Sequence, residues 1–192
     1  MNASDTRTIL IMGSSTGGPR TLEQVFFRFP VVRAAIIVVQ HMPAYINETI
    51  CGRLQRICNM EIVIARDGDE IRHGRIYIAP SGSHLKIVDN RTICLFDDEK
   101  VHAVRPSIDV AMQSLAGRNG DTLAGVILTG MGTDGAEGIR HIKNIGGTTI
   151  AQDIKTSIVH SMPKAAFETG MVDFVLPPEG IRSKIFEIAG LA

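Results

Sequence analysis

ILIMGSSTGGPRTLEQVF (residues 9–26) decides how the rest of the chain is read. An isoleucine-rich run closes at Gly13, passes through a stretch of small residues and enters a segment with Pro19 at its head. A short, continuous apolar run closed by glycine reads as a strand buried on both faces. Proline suits the first turn of a helix, because its missing N–H would lack a partner there anyway. The unit is therefore strand, glycine-rich turn, helix. Such a turn aims free N–H groups at an anion. This one also carries adjacent serines, Ser14 and Ser15. The stretch alone leaves open a phosphate cradle or a nucleophile, and either serine.

The same grammar repeats outward. AAIIVVQH (34–41), TLAGVILTG (122–130), GTTIAQ (147–152) and MVDFVLP (171–177) read as strands. Helical patterns lie over 19–29, 46–57, 106–117, after the glycine-rich 131–135, and over 163–170 and 178–190. Between residues 61 and 97 the character changes to short strands, EIVIA, GRIYIAP, SHLKIVD and RTICLF, with a hairpin signal at Asp89-Asn90. Strands alternating with helices predict an α/β fold: a doubly wound, mostly parallel sheet with helices on both faces and an antiparallel hairpin excursion in the middle. The 192 residues suit one domain, expected over 1–192.

Composition excludes several function classes. Hydrophobic residues make up 44% and charged residues 21%, a soluble, globular balance. Lys plus Arg equals Asp plus Glu at 20 each, so no global field favours nucleic acid or an anionic membrane. No apolar run approaches the roughly 20 residues of a membrane span, and MNASDTRT is no signal peptide. The odd set Cys51, Cys58 and Cys94, without a CxxC, reads as core thiols of a cytoplasmic protein. A zero net charge on a compact domain suits a monomer.

Function in open parallel sheets sits at the carboxyl ends of the strands. Three such ends carry polar chemistry here: Ser14-Ser15-Thr16-Gly17-Gly18, Gln40-His41-Met42, and Thr129 through Gly135 with Asp134. A serine, a histidine and an aspartate at one sheet edge form the inventory of nucleophile, general base and orienting acid. Gly17 and Gly18 free N–H groups that suit an oxyanion as well as a phosphate. Each piece also has an ordinary structural reading: GSSTGG as an anion turn, His41 as a strand-end histidine, Asp134 as a helix N-cap. GSSTGG matches neither GxGxxG nor GxxxxGK[ST], which disfavours a nucleotide module. His73, His84, His102, His141 and His160 show no metal spacing, so no metal site is expected.

GSSTGGP, VVQHMP, RDGDEIRHGRIYIAPSGSHLKI, VRPSIDVAM and GVILTGMGTDGAEGI occur in an order that resembles the catalytic domain of the chemotaxis protein-glutamate methylesterase (CheB) family, from about residue 8 to residue 188. The resemblance implies a serine hydrolase that demethylates γ-glutamyl methyl esters, and deamidates glutamines, on the cytoplasmic helices of chemoreceptors. It implies Ser15 as nucleophile, His41 as base and Asp134 as orienting acid, with Thr16, Gly17 and Met131 as oxyanion or supporting residues. It implies no metal or organic cofactor, a receptor partner, no nucleic acid and no membrane insertion. Ser14 departs from the family's usual small residue, such as alanine. Family members typically carry an N-terminal receiver domain that blocks the site until phosphorylated. Only a handful of residues precede the first strand here, so this stretch has no receiver; the chain is either an excised catalytic domain or a stand-alone member, and a stand-alone member is expected to lack gating in cis. A non-catalytic module that binds a receptor or signalling partner, and a hydrolase of another ester, are the competing readings. Arg72, Arg75 and Arg105 are candidates for docking an acidic receptor helix.

Overall fold

The computed structural model describes residues 7–191. The reading of the N-terminal stretch as no signal peptide falls largely on residues 1–6, outside the described residues. In chain order the elements are β1 (Thr8–Ser14), α1 (Gly18–Phe26), β2 (Ala35–Gln40), a 3-10 turn (Ala44–Ile46), α2 (Asn47–Gln55), β3 (Glu61–Ile64) and β4 (Arg75–Ile78). The hairpin strands β5 (His84–Val88) and β6 (Thr92–Phe96) come next, then α3 (Ile108–Gln113), β7 (Thr122–Ile127), α4 (Ala136–Asn144) and β8 (Thr148–Gln152). The described chain closes with α5 (Ser161–Glu168), β9 (Phe174–Leu176) and α6 (Pro178–Ile188).

Seven strands form one sheet in the order β3-β4-β2-β1-β7-β8-β9, every pairing parallel. β1 is central. From it the chain winds first toward β2, β4 and β3, then returns to β1 and winds the other way through β7, β8 and β9. That reversal opens a crevice at the carboxyl ends of β1 and β7.

The two-residue period of a strand divides the core. Leu10 and Met12 pack with Leu22, Val25 and Phe26 of α1, Leu54 of α2 and Ile181 of α6. Ile9 and Ile11 face the other way, toward Ile108 and Met112 of α3, Ile139 of α4 and Leu85 of the hairpin. A strand covered on both faces has no polar side, which is why β1 and β2 are unbroken apolar runs. At about 1.5–3 kcal/mol per fully buried aliphatic side chain, these strands supply a large part of the hydrophobic stabilisation.

The doubly wound fold and its hairpin stand as read, with local differences. The change of character after residue 61 is narrower than expected. β3 and β4 belong to the parallel sheet, and only β5 and β6 form the antiparallel excursion. Asp89 (φ 56°) and Asn90 (φ 55°) make the hairpin turn. The buried Asn90 amide then bonds Ala116 in both directions, tying the turn to the body. α1 ends at Phe26 rather than Phe29, because Arg28 takes φ 52° and Phe29 bridges to Cys58. α3 is half the expected length, starting after its cap Ser107 rather than at Pro106. Cys58 lies beyond α2, not on one helix with Cys51, and all three cysteines are free. Among the described residues no helix is long and apolar enough to cross a membrane.

The turn after β1 depends on bare backbone. A Cβ on Gly18 would stand 2.0 Å from Gln40 Oε1 and 2.8 Å from Ser14 Cβ and Oγ, all in buried side chains. Overpacking of this kind costs about 1–3 kcal/mol. Gly18→Ala is therefore expected to lower the urea midpoint by the equivalent of about 2 kcal/mol. An unchanged midpoint would show that the turn has slack the packing denies.

Candidate active site

Strand register places Ser15 and His41 at neighbouring strand ends. Ser14 pairs with Gln40 in the parallel β1–β2 ladder, and the next N–H, of His41, donates to Ser14 O at 2.9 Å. Parallel neighbours run about 4.8 Å apart, so Ser15 and His41 leave the sheet side by side. Ser15 N–H donates to Thr129 O at 3.0 Å, which joins the same turn to the end of β7.

Gln40 fastens this corner. Its Oε1 accepts from Ser14 Oγ at 2.6 Å, and its Nε2 donates to the carbonyls of Ser15 (2.9 Å) and His41 (2.8 Å). The two serines differ in burial. Ser14 is fully buried and its hydroxyl is held by Gln40. The Ser15 side chain is partly exposed, and among the described residues its hydroxyl has no hydrogen-bond partner.

His41 Nε2 lies 2.9 Å from Asp134 Oδ2. An ionised Asp134 accepts only, so the proton sits on Nε2 and Nδ1 presents its lone pair. The ring is thus reversed relative to the common triad, in which the acid takes Nδ1. Asp134 itself is 3% exposed. Burial alone would raise its pKa. The hydrogen bonds from His41, Ile108 N–H, Asp109 N–H and the Ser107 hydroxyl outweigh that and hold the carboxyl below its usual range.

Asp134 is not the N-cap of the helix that follows it, since Gly135 takes that position. Its carboxylate instead receives the start of α3, through Ser107 Oγ (2.8 Å), Ile108 N (2.7 Å) and Asp109 N (3.1 Å). Asp109 returns the arrangement: its Oδ1 accepts from Gly135 N (2.9 Å) and Gly138 N (2.6 Å) at the start of α4. Its Oδ2 pairs with His102 Nε2 at 3.0 Å. Burial raises the Asp109 pKa, with the neighbouring Asp134 charge adding to it against the hydrogen bonds from Gly138 and His102.

The supporting residues fall around the same corner. Gly17 takes φ 82° as the cap of α1, and among the described residues the N–H groups of Thr16 and Gly17 have no acceptor. Thr16 contributes its carbonyl, which accepts from Thr129 Oγ1 at 3.0 Å, rather than a hydroxyl bond. Gly130 N–H is taken by Val159 O (2.9 Å) and Gly132 N–H by Ser161 Oγ (3.1 Å). Between them the 75%-exposed Met131 keeps an N–H without an acceptor among the described residues. His102, Asp109 and Asp134 bring ligand atoms within 4.8 Å of one another, a cluster that spacing along the chain does not reveal. The carboxylate oxygens already serve N–H and O–H donors, so the group is built as a hydrogen-bond network. Gln40 and Thr129 stand in the sequence only as polar residues that close apolar strands, with no role attached, and Ser107 and Asp109 carry no local signal of theirs. Arg72, Arg75 and Arg105 have their own acceptors, in Glu70, Glu61 and Asp98 O.

The depressed Asp134 pKa carries a sign. Its contribution to stability is complete above the ordinary carboxylate range, near ~3.9, and fades as pH falls through the lower folded value. Asp134→Asn is expected to differ most from the parent in unfolding free energy at neutral pH, the gap narrowing below about pH 4. Urea titrations from neutral to acidic pH measure this, and a gap independent of pH would contradict it.

Known proteins share this arrangement's sequence. Residues 10–185 match the family described as CheB methylesterase. A protein-glutamate methylesterase/protein-glutamine glutaminase of Pyrococcus horikoshii is 43% identical over 179 residues, covering 91% of this chain and 49% of that protein. A protein of the same name from Sulfurimonas denitrificans is 42% identical over 186 residues, covering 95% and 53%. The chain thus spans about half the length of the curated relatives it matches. The crystal structure of the Thermotoga maritima CheB methylesterase catalytic domain superposes with a TM-score of 0.88 at 37% identity, over 95% of this chain and 99% of that one. With the family match running from β1 into α6, the chain belongs to the CheB methylesterase family.

Proposed function

We propose that this chain is a serine hydrolase that removes methyl groups from γ-glutamyl methyl esters, and deamidates glutamines, on the cytoplasmic helices of chemoreceptors. One observation carries the reading: the buried Asp134 carboxylate holds His41 by Nε2 and leaves Nδ1 free, on a strand end adjacent to the one that carries the unpartnered Ser15 hydroxyl. The shared name of the curated relatives supplies the substrate class.

His41 Nδ1 takes the Ser15 proton as the hydroxyl oxygen attacks the ester carbonyl. The oxyanion of the tetrahedral adduct faces the N–H groups of Thr16, Gly17 and Met131. Collapse expels methanol, which takes its proton from the His41 imidazolium, and Asp134 stabilises that cation in the interval. Water, deprotonated by the same nitrogen, then releases the glutamate. With a primary amide the leaving group is ammonia. Every proton passes through His41, so the route needs no metal or organic cofactor. All six residues come from one chain, which supports action as a monomer, and the free thiols suit a reducing cytoplasm.

Counting methanol released from a methylated chemoreceptor cytoplasmic fragment tests the proposal. Ser15→Ala is expected to abolish release, and Asp134→Asn to lower kcat by about 10³–10⁴ by losing the tautomer. Ser14→Ala is expected to keep release while losing about 1–3 kcal/mol of stability, because Gln40 Oε1 is left without its donor. Release that survives Ser15→Ala would dismantle the triad. A folded parent that cleaves a generic activated ester but not the receptor would move the substrate elsewhere.

A further inference from the structure

A cavity of about 670 Å³ lies between α1, α2 and α6 and contains none of Ser15, His41 and Asp134. The proposed chemistry lies elsewhere, at the sheet edge that carries Ser15, His41 and Asp134. The cavity nonetheless has a distinct character. Four guanidinium groups line it, from Arg20, Arg53, Arg56 and Arg182, against the carboxylates of Glu23 and Glu179. That leaves a net of two positive charges. Arg53 pairs with Glu23 at 2.6 Å, and Arg182 donates to Phe27 O at 2.9 Å. Arg20 and Arg56 have no carboxylate partner among the described residues. Phe27, 50% exposed, and Ile57 supply an apolar wall.

The cavity is also connected. A second one, about 300 Å³, shares Arg20, Gln24 and Glu179 with it and extends to Thr156 and Ile158. Ile158 lies against the nucleophile turn, where a Cβ on Gly17 would come within 2.8 Å of it. The two adjoining cavities form a trough along α1, and its Ile158 end packs against Gly17 of the turn that carries Ser15.

We propose that this trough is an exosite for an acidic polypeptide segment, the stretch flanking the esterified glutamate. The proposal rests on the esterase reading for what enters the trough, and on the unpaired arginines for its charge. Length argues for a polypeptide over a small anion. The nine residues of α1 span about 13 Å at 1.5 Å per residue, which matches two to three turns of a helical substrate. The sign follows from the reaction, since every turnover leaves a carboxylate on the substrate. Clefts lined with one charge raise both encounter rate and selectivity for the opposite charge.

Fluorescence anisotropy of a labelled, methylated receptor fragment tests this on the Ser15→Ala chain, where the fragment is not consumed. Adding Arg20→Glu with Arg56→Glu is expected to raise Kd roughly tenfold at low salt, an effect that shrinks toward about 0.5 M salt. Arg118→Glu, which loses a surface pair with Asp89 of the hairpin away from the trough, is expected to bind as before. In the Ser15 chain, the double change is expected to lower the ratio of kcat/KM for the fragment over that for a small activated ester by a similar factor. Unchanged binding, an equal loss in Arg118→Glu, or no binding by the Ser15→Ala chain would each overturn the exosite. Displacement of the fragment by stoichiometric inorganic phosphate or a mononucleotide would assign the cavity to a small anion instead. A fragment that binds through these arginines but yields no methanol would count against the esterase reading alone.

Discussion

Two carboxylates exchanged between helix starts hold the functional end of the molecule. Asp134 lies just before α4 yet receives the N–H groups that open α3, and Asp109 lies in α3 yet receives those that open α4. A buried carboxylate without partners costs several kcal/mol, while one with several donors at a helix N-terminus is stable where it stands. Each aspartate therefore locks the other's helix, and the turn that carries Asp134 has no freedom to drift. His41 docks on the one Asp134 oxygen that still has room for a side-chain donor. The hairpin shares in this order, because His84 Nδ1 accepts from Ser107 N at 3.2 Å. The antiparallel excursion thus steadies the residue that hands its hydroxyl to Asp134.

The exchange also explains why two acids so close together differ. Asp134 takes four donors, among them an imidazole, and its charge is favoured. Asp109 takes two N–H groups and His102, which is 42% exposed at its side chain, and it feels the charge of Asp134. Two like charges in one buried site push their pKa values apart, and the better-solvated member by hydrogen bonds keeps the charge. The acid that faces His41 is the one whose ionisation is secured.

The fold was legible in the sequence because burial on both faces leaves a direct mark. The runs at 8–13, 34–41 and 122–130 have no polar face, and the glycine-rich turns announce which ends matter. The three residues that converge were legible for the same reason, each standing just past such a run. What the sequence hid is tertiary. Asp134 before a helix looks like a local cap, and nothing local says that its carboxylate turns to Ser107 and Ile108, some 26 residues away. Gln40 looks like a strand terminator, yet it is the clasp between two turns. Helix lengths failed where left-handed backbone at Arg28 or a cap at Ser107 cut short an apolar period that runs on.

The reversed imidazole follows from the sheet itself. Nδ1 is the ring nitrogen nearer the histidine's own main chain, and Nε2 is the farther one. Ser15 stands on the strand next to His41, a single ladder spacing away, whereas Asp134 comes from the β7 side, beyond β1. A near nitrogen suits the neighbour on the adjacent strand, and the far nitrogen suits the partner one strand further on. The parallel order β2-β1-β7 is thus consistent with the farther nitrogen reaching Asp134 and the nearer one being left toward the adjacent strand end. Backbone register fixes where His41 and Ser15 leave the sheet, so a side-chain rotation is all that separates the free Nδ1 from a proton donor on the neighbouring strand end.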